Sequence, residues 1–103
     1  MAAEHLTEAN FDSMIKEGVT LVDFFATWCG PCKMLSPIIE ELAAQASGFS
    51  VYKVDIDECE DLAMDYSVMS VPTLIIFKDG EEAERLIGVR SKADILSVLK
   101  SFI

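Results

Sequence analysis

From Val19 to Phe25 the chain is apolar at almost every step, with only Thr20 and Asp23 breaking the run. A stretch that does not alternate is expected of a central strand covered on both faces. Before it, Phe11, Met14 and Ile15 recur at helical spacing, which predicts a helix from a cap at Thr7 or Asn10 through about Glu17, ended by Gly18. Ala2 to Leu6 reads as a short edge strand. After the apolar run a longer helix is expected from about Cys32 to Ser47, stopped at Gly48, with Pro37 inside it as a source of a kink. Phe49 to Asp55 reads as a strand, and Glu58 to Tyr66 as a short helix whose acidic start suits the helix dipole. Thr73 to Phe77 is a strand following Pro72, Lys78-Asp79-Gly80 is a hairpin signal, and Glu84 to Gly88 is the returning strand. Ser91 with Asp94 resembles a capping box opening a last helix that carries Ile95, Leu96, Val98 and Leu99. The order β-α-β-α-β-α-β-β-α predicts an α/β fold, a central mixed five-stranded sheet with four helices on both faces.

Length adds that residues 1–103 suffice for one domain with a modest core, with no repeat, linker or low-complexity segment. Charge narrows the partners: the formal net charge is -10, which argues against nucleic acid and anionic membrane. Solubility accounts for that acidity, with docking to a basic partner as the alternative. The first thirty residues lack a basic start, the apolar run is interrupted by Asp23, and no stretch has the length of a membrane span. A cytoplasmic monomer is therefore expected. Three cysteines in such a chain point to a catalytic or metal role rather than a disulfide scaffold.

Trp28-Cys29-Gly30-Pro31-Cys32 stands between the apolar run and the second helix. Its spacing lets the two sulfurs close a small disulfide, whose loop entropy is worth only about 2 kcal/mol. A bond that contributes so little to the fold opens and closes without unfolding it. At a strand-to-helix junction, free backbone N–H groups and the positive end of the helix dipole face the first sulfur, making Cys29 the easier thiol to ionise. Lower basicity also lowers nucleophilicity, so placement of Cys32 and docking of the substrate must supply the rest of the rate.

The stretch from Val22 through Trp28-Cys29-Gly30-Pro31-Cys32 to Lys33, together with Val71-Pro72-Thr73, closely resembles the thioredoxin family over nearly the whole chain. The resemblance implies the thioredoxin fold and reduction of protein disulfides, in which Cys29 attacks and Cys32 resolves. It implies recycling by a thioredoxin reductase drawing on NADPH, or in some organisms on ferredoxin, and no bound cofactor. Asp23 is by itself an open case, an outward or paired carboxylate or a buried one; the family pattern makes it the buried aspartate that exchanges a proton with Cys32. Lys53 is by itself a strand-edge charge, and the pattern places it beside that aspartate. Pro72 would be cis and face the cysteines, exposing Val71 backbone groups to an extended substrate. Trp28, Gly30, Pro31, Val71, Pro72, Ile87, Gly88 and Val89 would form the apolar docking surface. Phe25 departs from the pattern, since many members carry a second tryptophan there.

Cys59 lies among acidic residues, which disfavour a thiolate, so an inert thiol is the plain reading and a regulatory one the alternative. His5 is expected at the surface. Other functions remain to be weighed. Cys29, Cys32, Cys59 and His5 add up to a zinc ligand set, but only one pair is close in sequence. A chaperone or assembly subunit would keep the fold and dispense with the cysteines. An oxidase or isomerase is the nearest competitor; Gly-Pro between the cysteines resembles reductases, whereas isomerases usually carry Gly-His.

Overall fold

A computed structural model describes residues 2–103. Five strands form one sheet in the order β1-β3-β2-β4-β5, where β1 is Glu4–His5, β2 Val19–Phe25, β3 Phe49–Asp55, β4 Thr73–Lys78 and β5 Glu81–Ile87. β1, β3 and β2 run parallel, and β4 and β5 are antiparallel to their neighbours. Four helices complete it: α1 Phe11–Ile15, α2 Gly30–Ala44, α3 Glu60–Asp65 and α4 Lys92–Lys100. The mixed sheet with helices on both faces is the predicted architecture.

β2 sits at the centre and is buried along nearly its whole length, so its side chains feed two cores. Val19 and Leu21 point to one face, with Leu35, Ile39 and Leu42 of α2 and Ile95 and Leu99 of α4. Val22 and Phe24 point to the other, with Phe11 and Ile15 of α1 and Leu62 of α3. Alternation along β2 then sends Asp23 to the α2 and α4 face, where it is 1% exposed.

Boundaries depart from the predicted ones where backbone tethers intervene. α1 stops at Ile15 because the chain is already turning into β2: Gly18 has φ +74°, its N–H donates to Asp79 Oδ1 at 2.8 Å, and the Asp79 N–H donates to the Gly18 carbonyl at 2.9 Å. α2 begins two residues early because Cys29 itself is the cap, and Pro31 occupies the first turn, where its missing N–H costs nothing. α2 also ends at Ala44 rather than Ser47, at a Gln45 cap. β5 begins at Glu81, earlier than its polar sequence indicated. Asp79 (φ 51°) and Gly80 (φ 88°) make a two-residue turn that pairs Lys78 directly with Glu81, and the register shifts between Ile76 and Phe77. An edge strand need not be apolar on either outer side, which is why its glutamates hid it. Ser91 Oγ accepts from the Asp94 N–H at 3.1 Å, as the capping pattern predicted.

No helix among the described residues is long and apolar enough to cross a membrane.

Candidate active site

Cys29 and Cys32 are disulfide-bonded with their Cα atoms 5.3 Å apart. Cys29 is the extended N-cap of the fifteen-residue α2 (φ -90°, ψ 117°), and its sulfur accepts the Cys32 N–H at 3.1 Å. That N–H would otherwise be an orphan of the helix terminus; here it is aimed at the Cys29 sulfur, where it favours negative charge. Both sulfurs belong to a small cluster with Ala26, Phe25, Ile56 and Val71, and each cysteine is only 4% exposed.

The Val71–Pro72 peptide is cis. It brings the Val71 carbonyl to 3.6 Å from Cys29 Sγ. The bend is held on both sides: Thr73 Oγ1 donates to the Ser70 carbonyl at 2.7 Å, and the Gly88 N–H donates to the Pro72 carbonyl at 2.9 Å. A groove of about 410 Å³ opens beside the pair, with Trp28, Cys29, Gly30 and Pro31 on one wall and Val68, Met69, Ser70 and Val71 on the other. Among the residues predicted to form a docking surface, Trp28, Gly30, Pro31 and Val71 therefore meet in one groove. Pro72 is buried behind it, while Ile87, Gly88 and Val89 lie outside its lining, at the end of β5. Ile87 and Val89 are nonetheless exposed apolar side chains.

Sequence reasoning missed three contributors. Met69, 91% exposed, is an apolar rim. Ile56 completes the lining. Asp57 Oδ2 accepts the Trp28 Nε1 proton at 2.9 Å and so fixes the ring. The signal for Asp57 is available once β2 and β3 are paired, because Phe25 lies opposite Asp55 and the residues just beyond both strands must meet.

Asp23 and Lys53 are paired in register between β2 and β3, and both are buried, at 1% and 6% exposure. Asp23 Oδ1 has no hydrogen-bond partner among the described residues. Burial lifts its carboxyl from an ordinary 3.8 to about 7; the Lys53 charge works against that rise and Glu40 adds to it. Lys53 Nζ donates to Ser36 Oγ at 3.3 Å, approaches Glu40 Oε2 at 3.9 Å, and lies 4.7 Å from the centre of the Phe25 ring. Phe25, the departure from the family pattern, thus stacks under a cation. Lys53, Ser36, Phe25 and Cys32 line a common cavity of about 210 Å³.

Cys59 and His5 stand apart from this site. Cys59 Sγ donates to the Leu6 carbonyl at 3.8 Å, inside the α1 and α3 core, and burial together with Glu8, Glu58 and Asp55 pushes its thiol up. His5 is exposed and sets its ring edgewise on Phe25 at 5.4 Å. The zinc ligand set is not assembled, and among the described residues no cluster of three histidine, cysteine or acidic side chains is placed to hold a metal ion.

The family model described as Thioredoxin matches residues 2–101. The chain is 50% identical over 100 residues to the thioredoxins of Staphylococcus aureus strains Mu50 and MW2, covering 96% of each protein in both comparisons. Its structure resembles that of an asparagine-to-glutamine mutant of thioredoxin from Halobacterium salinarum, with a TM-score of 0.91 and 36% identity, across 97% of this chain and 89% of the other.

Proposed function

This chain belongs to the thioredoxin family, whose members act as protein-disulfide oxidoreductases on disulfide-containing proteins, and we propose that it reduces them with Cys29 as the attacking and Cys32 as the resolving thiol. The observation that carries this division of labour is the asymmetry of the pair. Cys29 receives a backbone N–H and the N-terminal end of α2, and it faces the groove beside the cis bend; Cys32 lies one turn inward, facing the cavity of Lys53. In the reduced protein, the Cys29 thiolate attacks one sulfur of a substrate disulfide. A mixed disulfide forms and the other substrate sulfur leaves as a thiolate. Cys32 loses its proton to Asp23 and attacks Cys29 Sγ, closing the internal disulfide and releasing the second substrate thiolate. Two electrons pass to the substrate and the protein is left oxidised.

An acceptor in that second step must be ionised before it acts and hold the proton briefly afterwards. A carboxyl near 7 suits both at neutral pH. Lys53 stabilises the ionised form between turnovers. The substrate segment lies extended along the Val71 backbone and between Trp28 and Met69, with Ile87, Gly88 and Val89 extending the contact beyond the cis proline. Return of electrons falls to a thioredoxin reductase fed by NADPH, and the protein works as a cytoplasmic monomer of a single domain, with no bound cofactor.

Insulin reduction with dithiothreitol as donor tests the assignment. Wild type should accelerate precipitation, Cys29→Ser should not, and Cys32→Ser should accumulate a mixed disulfide through Cys29. Equal rates for all three and the uncatalysed control would overturn it.

A further inference from the structure

Asp23 is paired in register with Lys53, yet no ion pair joins them among the described residues; the ammonium is drawn instead toward α2. Two groups there receive it, Ser36 Oγ at 3.3 Å and Glu40 Oε2 at 3.9 Å, and the Phe25 ring at the end of β2 lies 4.7 Å away. Glu40 is itself fixed. Its Oε1 accepts the Ala3 N–H at 2.9 Å, which leaves Oε2, buried and with no hydrogen bond, facing the ammonium. A carboxylate so placed acts on Asp23 twice, by repelling a second negative charge and by drawing off part of the favourable field of Lys53.

We propose that Glu40 is a positioning residue for the proton-transfer step, sharing the Lys53 ammonium with Asp23 so that Asp23 can both take and return a proton. This rests on the reading of Asp23 as the proton partner of Cys32. The groups facing the site are few. β3 contributes Lys53, α2 contributes Glu40, Cys32 and Lys33, β1 contributes His5 in register with Lys53, and β4 sets apolar Leu74 opposite Asp23. Glu40 is the one acidic side chain among them besides Asp23, so its charge is the one whose removal should be felt.

The test is direct titration of the Asp23 carboxyl carbon by NMR in oxidised wild type, Glu40→Gln and Glu40→Asp. Glu40→Gln keeps an oxygen for the Ala3 N–H and removes only charge, and the Asp23 midpoint should fall by about one pH unit. Glu40→Asp draws the carboxylate back by one methylene, and the midpoint should fall by about half as much. A midpoint unchanged or raised in whichever variant folds overturns the proposal. The rate at which Cys32 displaces glutathione from Cys29, followed against pH in the reduced-side reaction, separates this from the reading beneath it. A rate profile that moves with the carbon signal supports both. A carbon signal that moves while the rate profile stays fixed supports the hold of Glu40 on Asp23 and overturns the role of Asp23 in proton transfer.

Discussion

Two helices of this protein begin at a buried cysteine. Cys29 caps α2 and Cys59 caps α3, and each is only 4% exposed. Their chemistry diverges because of what surrounds each cap. The Cys29 sulfur takes a backbone N–H from a helix of fifteen residues with no acidic side chain in its first turn. The Cys59 sulfur takes none from its own helix, which has six residues and opens with Glu60 and Asp61; it donates to Leu6 instead. One site is arranged to welcome negative charge, and the other, ringed by Glu8, Glu58 and Asp55, to refuse it. Neither burial nor the helix N-terminus alone makes a reactive thiol; the direction of the N–H and the sign of neighbouring charge decide.

The comparison breaks most visibly by deletion. Cys29→Ser should lower insulin reduction by about a thousandfold or more, to the uncatalysed level, whereas Cys59→Ala should leave it within about twofold. Loss of comparable activity in Cys59→Ala would mean that the second cap has a part in exchange. What lies behind the first cap gives the next effect. The Asp23 carboxyl goes from an ordinary 3.8 to about 7 on folding, so folding takes up a proton between those values. Stability from this group is full below 3.8 and is lost as pH rises through 7, a loss of about 4 kcal/mol. Denaturant unfolding of the oxidised protein should show that decline from pH 4 to 8, and Asp23→Asn should abolish most of it. A wild-type curve as flat as the variant's would place the carboxyl at its ordinary value.

A smaller change should make the first cap resemble the second. Gly30 has open space where a Cβ would stand, so Gly30→Asp introduces a carboxylate next to Cys29 without a clash. The Cys29 thiol should titrate about one pH unit higher and its attack on a small disulfide at neutral pH should slow about threefold, because nucleophilicity recovers part of the lost thiolate. Unchanged thiolate absorbance across the titration would rule out local charge as the controlling factor. Smallest of all, Cys59→Ala removes a buried sulfur from the aromatic core of Phe11, Phe24 and Phe77 and should cost about 1 kcal/mol in unfolding free energy.

Much of this was legible before any coordinates, for identifiable reasons. β2 is buried along nearly its whole length and reads as an apolar run broken only by Thr20 and Asp23; the last helix announces itself through Ser91 and Asp94. Asp23 drew notice because a carboxylate in such a run violates its surroundings. The start of β5 reads three residues late because an edge strand carries Glu81, Glu82 and Glu84 without penalty, which erases the alternation that sequence reading needs. Glu40 and Asp57 were missed for another reason. Each acquires meaning only through a partner from a different element, Lys53 in one case and Trp28 in the other, and pairing across elements leaves no trace in local pattern. Met69 carries no local signal either, because only the groove it lines gives it a part.

Trp28 is the molecule's one indole, and it stands 67% exposed at the lip of the groove. A chromophore already in water has little colour to lose when the chain unfolds, so its emission wavelength is a poor gauge of folding. A substrate segment lying in the groove as proposed would carry the same ring into an apolar setting and shift its light to the blue. Fluorescence of this protein should then register occupancy of the groove, while its unfolding is better followed by the ellipticity of the backbone.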